Sequence, residues 1–227
     1  MTEMVDNARN IVRACDLPVI ADADTGYGNA LNVIRTVQEF EQAGVAAIHL
    51  EDQVSPKRCG HLDGKQVVPV DEMAAKIRAA VAARETDEFV VIARTDAAAV
   101  EGMDAAIERA RRYRDEGADV LFVEAATTEA EIEQIATALA GMPLLFNWVE
   151  GGKTPPVSLE RLRALGFAIV IFPISTLLAA TTAVQHVLAQ IKTNGTPRPT
   201  GDDLAFGGFV DVIGLSEIDA LDHRFAQ

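Results

Sequence analysis

Apolar residues along this chain fall into six short runs, separated by longer stretches in which they recur every three or four positions. The runs at 17–22, 46–51, 89–94, 120–124, 144–147 and 168–172 read as strands, being short, rich in β-branched residues and closed by polar or turn residues. The stretches at 29–44, 70–84, 102–117, 129–140 and 158–166 read as helices. In the first of them Val33, Val37 and Phe40 share one face and Gly44 ends it. Three joins, EQAGVAAIHLE, RDEGADVLFVE and RALGFAIVIFP, repeat one arrangement of helix, glycine cap and strand. That repetition predicts an α/β fold of parallel strands linked by helices. An amphipathic segment, MTEMVDNARNIVRA, precedes the first strand. After the last come an apolar helix over 176–194, a turn-rich linker and one amphipathic helix over 206–225. The expected division is a partial α/β barrel carrying the site, 1–194, and a linker with an oligomerisation helix, 195–227.

Each strand but the last closes on polar side chains: Asp22 and Asp24, Glu51 and Asp52, Arg94 and Asp96, Glu124, then Asn147 and Glu150. Buried charge costs several kcal/mol unless it is paired or bound to metal, so folding alone does not account for the series. Polar strand ends from at least five strands favour a barrel, whose site is assembled from many strands, over an open sheet.

The formal charge of −14 excludes phosphate-backbone binding of the usual kind, and no nucleic-acid partner is expected. Cys15 and Cys59 are too few for a disulfide framework. Without a membrane-length apolar run or a secretory layout at the amino end, the expectation is a soluble, cytoplasmic protein with no membrane partner.

The stretches ADADTGYGN (21–29), HLEDQVSPKRCGH (49–61), ARTDA (93–97), VEA (123–125) and NWVEGGKTP (147–155) resemble the isocitrate lyase and phosphoenolpyruvate mutase superfamily in order and spacing. The resemblance implies a TIM-type (β/α)8 barrel, here lacking its first two strands, with C-terminal helices exchanged between subunits of a homotetramer. It implies Mg2+, with Mn2+ as the substitute, and a small di- or tricarboxylate substrate. The pattern starts partway in, as a shortened start at Met1 would produce.

Magnesium takes oxygen ligands and keeps several waters, so Asp24 is the first choice for direct contact, with Asp22 and Glu51 beside it or reaching through water. Read alone, these carboxylates could instead be helix caps or ion-pair partners of Arg94. Arg94 offers a fork for a substrate carboxylate, its plainer alternative being an Arg–Asp pair. The resemblance assigns Glu124 and Asn147 to substrate as well. Gly151 and Gly152 allow close approach of a ligand, with Thr154 near its distal carboxylate. In the loop Lys57-Arg58-Cys59-Gly60-His61, Cys59 lies between cationic residues, a setting that lowers a thiol pKa. The family's C–C lyases carry such a cysteine on a mobile gate, as the acid that protonates the departing carbanion. Lys57 and His61 then serve catalysis, and Gly60 and His61 touch substrate. The expected activity is Mg-dependent cleavage of a 2-methylisocitrate- or 2,3-dimethylmalate-type substrate to a 2-oxo acid such as pyruvate and a dicarboxylate. The alternatives are an oxaloacetate hydrolase, a carboxyphosphonoenolpyruvate phosphonomutase, or an inactive truncated form.

Overall fold

Six strands pair in chain order into one fully parallel sheet: β1 (Ile20–Asp22), β2 (Ala47–Glu51), β3 (Val90–Thr95), β4 (Val120–Val123), β5 (Leu144–Asn147) and β6 (Phe167–Ile171). The structure is a computed structural model that describes residues 1–60, 62–198 and 205–226. The sheet curls as a barrel of the expected type would, with six strands in place of eight. Helices α2 (Ala30–Gln42), α3 (Val70–Ala83), α4 (Met103–Asp115), α5 (Glu129–Ala138) and α6 (Leu159–Ala164) link successive strands, and α1 (Thr2–Ala14) precedes them. Strand β1 begins later than its apolar run suggests. Pro18 has no N–H to give a ladder, and pairing starts once Val19 accepts from the Ala46 N–H at 2.9 Å.

Strand pleating sorts side chains onto two faces. Ile48 and Leu50 of β2 and Val91 and Ala93 of β3 point to the helix side. There they join Val33, Val37 and Phe40 of α2 and Met73 and Ile77 of α3, in the main core. Ala47, Ile92, Val120, Phe122 and Leu145 form a smaller cluster on the other face. Further along the same strands, that inner face turns polar at His49 and Glu51, Arg94, Glu124 and Asn147. Register brings Glu51 beside Arg94 and Asp22 beside His49.

A second buried network fastens β2 to β3 and α4. Asp52 accepts from the Thr95 hydroxyl (2.7 Å), the Asp96 N–H (2.9 Å) and the Tyr113 hydroxyl (2.8 Å), with Arg109 Nη1 at 3.4 Å. Burial pushes the Asp52 carboxyl above the ordinary range, and these donors pull against it.

The chain divides into two compact units, Met1–Ser175 and Thr176–Gln227. In the second, α7 (Ser175–Asn194) matches expectation, but the single helix expected over 206–225 is two, α8 (Phe206–Val212) and α9 (Leu215–Phe225). Gly214 separates them at φ +80°, a left-handed conformation that no regular α-helix continues through. Among the described residues no helix is long and apolar enough to cross a membrane.

The Asp52 network generates a pair of stability expectations. Asp52→Ala takes the acceptor from the Thr95 and Tyr113 hydroxyls and the Asp96 N–H, while Arg109 keeps its two bonds to Glu101, and urea unfolding should show a loss of about 3–5 kcal/mol from three orphaned buried donors. Tyr113→Phe removes one donor to a charged acceptor and should cost about 1.5–3 kcal/mol. Equal, small losses for both would remove Asp52 as the network's centre.

Candidate active site

Three carboxylates meet one ammonium at the carboxyl ends of β1 and β2. Lys57 Nζ stands 3.0 Å from Asp24 Oδ1, 3.8 Å from Glu51 Oε1 and 3.9 Å from Asp22 Oδ2. Asp24 adopts φ +50°, and its N–H donates to Asp22 Oδ1 at 2.9 Å. A non-glycine residue in that left-handed region carries roughly 1–2 kcal/mol of strain, so the turn is held by its surroundings. His49 Nδ1 lies 3.7 Å from Asp22 without a hydrogen bond. Burial lowers the His49 pKa, which keeps the ring neutral and makes this contact no ion pair.

Arg94 occupies the centre of the inner face, its guanidinium stacked on the Phe122 ring at 5.1 Å. It grips Asp96 with two bonds, Nε to Oδ2 at 2.9 Å and Nη2 to Oδ1 at 3.1 Å. Glu51 Oε2 is 3.2 Å from Nη1, and Glu124 Oε2 is 3.8 Å from Nη2. The plain Arg–Asp pair is therefore present, within a larger cluster. Glu51 is fully buried, and neither carboxylate oxygen has an aligned hydrogen bond. Burial raises its pKa to about 7 despite Arg94 alongside. For Lys57, burial pulls the ammonium's pKa down, but Glu51, Asp22 and Asp24 outweigh it, and the net shift is upward. Asp96 also pays for burial, yet Arg94 and Lys65 hold its pKa below the ordinary carboxylate range.

Asn147 Nδ2 donates to Glu124 Oε2 at 3.1 Å, while its Oδ1 is buried without a partner. Ala125, next to Glu124, sits at φ +62°, a second strained backbone position beside the cluster. Thr154 lines a small cavity together with Asn147, Ala125 and Phe146. Trp148 packs at the edge of the main core, 5.8 Å from the Phe172 ring.

The loop after β2 folds back over these groups. Gly60 is buried so closely that an added Cβ would lie 2.7 Å from both Arg94 Nη2 and Glu124 Cγ. Its neighbour Cys59 is exposed, with its carbonyl accepting from the Leu62 N–H at 2.9 Å. His61 lies outside the described residues. From the next polar loop, Lys153 Nζ reaches Asp63 Oδ1 at 2.5 Å.

The structure thus gathers Asp22, Asp24, Glu51, Lys57, Gly60, Arg94, Glu124 and Asn147 in one place. The sequence assigns no role to His49 or Lys65, and to Asp96 only that of a strand-end carboxylate that could pair with arginine. Alternation along ARTDA could have placed Asp96 on the face of Arg94; no local pattern marks Lys65, which arrives through the loop's return.

A divalent ion fits this donor set. Asp22, Asp24 and Glu51 offer oxygens around a single cation position, now shared by the Lys57 ammonium. Among the described residues no three acidic, His or Cys side chains are close enough to chelate an ion by themselves. Magnesium retains water between itself and some of its carboxylates, so Asp22, Asp24 and Glu51 would hold it partly through water. Charge points the same way. Asp22, Asp24, Glu51, Asp96 and Glu124 face Lys57, Lys65 and Arg94, leaving carboxylate in excess.

The family model described as phosphoenolpyruvate phosphomutase matches residues 1–192. The chain is 45% identical to a 2,3-dimethylmalate lyase of Eubacterium barkeri over 227 residues, 100% of this chain and 78% of that protein. It is 44% identical to a 2-methylisocitrate lyase of Aeropyrum pernix, across 100% of this chain and 73% of the relative. An oxaloacetate acetylhydrolase solved with 3,3-difluorooxalacetate superposes with a TM-score of 0.92 at 42% identity, covering 98% of this chain and 76% of that one. With its inner-face carboxylates, buried arginine and cysteine loop in the order already described, the chain belongs to the phosphoenolpyruvate mutase/isocitrate lyase superfamily.

Proposed function

We propose that this protein is a magnesium-dependent carbon–carbon lyase that splits a small 2-hydroxy acid into a 2-oxo acid and a second carboxylate, a dicarboxylate from a tricarboxylate of the 2-methylisocitrate type and a monocarboxylate from a dicarboxylate of the 2,3-dimethylmalate type. The observation that carries the metal reading is the convergence of Asp22, Asp24 and Glu51 on one cation position. Magnesium held there supplies Lewis acidity that orients a 2-hydroxy acid and favours negative charge on its oxygen.

The chain's own residues divide the remaining work. Arg94, kept charged by its carboxylate partners, faces substrate as a fixed positive field. Asn147 Oδ1, buried and unpartnered, accepts a substrate hydroxyl. Lys57, which would give up its place among Asp22, Asp24 and Glu51 to the ion, serves as a cation beside developing charge. A base of the site takes the 2-hydroxyl proton, C2=O forms as C2–C3 breaks, the bonding pair stays on the departing carboxylate fragment, and the thiol of Cys59 gives that carbon a proton once the tip of the loop closes. Glu124 and Thr154 hold the substrate, with Gly60 backing Arg94 and His61 joining from the same loop. Closure over 57–61 keeps water from the carbanion. In the second unit, exposed Phe206, Phe209, Ile213, Ile218, Leu221 and Phe225 suit burial against a neighbouring subunit, as helix exchange in a homotetramer requires.

A hydrolytic reading stands second because the oxaloacetate acetylhydrolase superposes as closely as any lyase structure compared. Incubation with 2,3-dimethylmalate, 2-methylisocitrate and oxaloacetate in Mg2+ buffer separates the two. Pyruvate release from one of the first two is expected, abolished by EDTA and lowered about 10²-fold or more in kcat by Cys59→Ser. Oxalate and acetate from oxaloacetate, with no pyruvate from the other two, would replace the lyase with the hydrolase.

The raised Glu51 pKa gives a metal-binding expectation with a definite sign. A proton on Glu51 competes with the ion, so affinity must improve as pH rises towards about 7 and level off above it. Calorimetric titration with Mg2+ should show the apparent Kd weakening by up to about tenfold for each pH unit below that point. A Kd independent of pH would take Glu51 out of the metal's surroundings.

A further inference from the structure

The lyase chemistry leaves Lys65 without a task, although its ammonium is buried, with the side chain 2% exposed. It lies on the return limb of the loop. That limb is fixed to the sheet side: the Val54 N–H donates to Gln66 O and the Val68 N–H to Asp52 O, each at 2.8 Å, and Gln53 bridges Val67 antiparallel. From this anchored position Lys65 Nζ donates in two directions. One bond goes to the carbonyl of Gly60, in the tip of the loop. The other goes to Asp96 Oδ1 at 3.2 Å, on the carboxylate that clamps Arg94 in bidentate fashion. Gly60 in turn lies against Arg94 Nη2 and Glu124, leaving no room for a side chain. A separate tether, Gln53 Nε2 to Arg58 O at 2.8 Å and the Arg58 N–H to Gln53 Oε1 at 3.0 Å, holds the outer part of the tip.

Opening the tip would withdraw the Gly60 carbonyl from a buried ammonium and uncover the guanidinium behind it. A buried charge whose donors lose an acceptor is costly, so the closed tip and the ordered Arg94–Asp96 pair reinforce each other. We propose that Lys65 is a positioning residue that couples closure of the 57–60 tip to the orientation of Arg94, by holding the Gly60 carbonyl and the Asp96 carboxylate on one ammonium. The role rests on the reading of this loop as a gate over a dicarboxylate, but its test needs no substrate.

Trypsin cleavage after Arg58, which is exposed at the tip, reports closure directly. The full chain should be compared with Lys65→Met and Lys65→Arg, alongside thermal melting of each. Lys65→Met is expected to be cut after Arg58 about tenfold faster, the change that a loss of roughly 1.4 kcal/mol in tip closure gives. Cleavage after Arg78 and Arg111 should stay as in the parent, and Lys65→Arg should recover most of the protection. If Lys65→Met does not fold, Lys65→Gln, which keeps a donor without the charge, is read in the same way. Unchanged cleavage after Arg58 overturns the proposal, as does a rise shared equally by all tryptic sites with a fall in melting temperature. With an active substrate in hand, Lys65→Met should lower kcat more than it raises KM. Failure of the parent protein to turn over any dicarboxylate counts against the lyase reading alone, because the proteolysis still decides the role of Lys65.

Discussion

A guanidinium keeps its charge even when buried, so placing one on the inner face of a parallel sheet requires carboxylates to offset its desolvation, and Arg94 has Asp96, Glu51 and Glu124 around it. The rest of the site follows from that constraint. Asp96 is shared with Lys65, Glu51 with Lys57, and Glu124 with Asn147, so each partner of Arg94 belongs to a second contact. The cluster behaves as one electrostatic unit, and moving any member alters the field at the others. Its outer layer, the Asp52 network, fixes the Asp96 backbone and thereby the direction from which Asp96 approaches Arg94.

Why the unit forms where it does is a matter of pleating. Along β2 the inner face carries Ala47, then His49, then Glu51; along β4 it carries Val120, Phe122 and Glu124. The apolar members fill the curled sheet's interior, and the last member of each row emerges at the strand's end, where the backbone gives way to loops. Parallel pairing aligns these ends, so groups far apart in sequence arrive at the same height without any need for long side chains.

This explains what could be read from the chain. Period-two alternation and the helix–glycine–strand joins are local signals, and they place six strands and the polar termini Asp22, Glu51, Arg94, Glu124 and Asn147 correctly. What they miss is set by long-range geometry. Lys65 reaches Asp96 across 31 positions because a loop folds back. Asp52 looks like one more strand-end carboxylate, but alternation turns it away from the inner face towards Tyr113, 61 positions later. The break at Gly214 was missed for another reason: apolar spacing continues across it, whereas the backbone dihedral that ends the helix leaves no mark in hydrophobic periodicity.

Two features together indicate a site prepared for ligands that are themselves charged. Strain is stored at Asp24 and Ala125, one on each side of Arg94, which fixes the neighbouring carboxylates without relying on a bound group to order them. Among the described residues carboxylates also outnumber cations in the cluster, and burial raises the Glu51 pKa to about 7. A dicarboxylate alone would meet this surplus of negative charge as repulsion. A divalent ion held by these carboxylates would turn the surplus into attraction and release the Glu51 proton, leaving the positive field of Arg94 to the incoming acid.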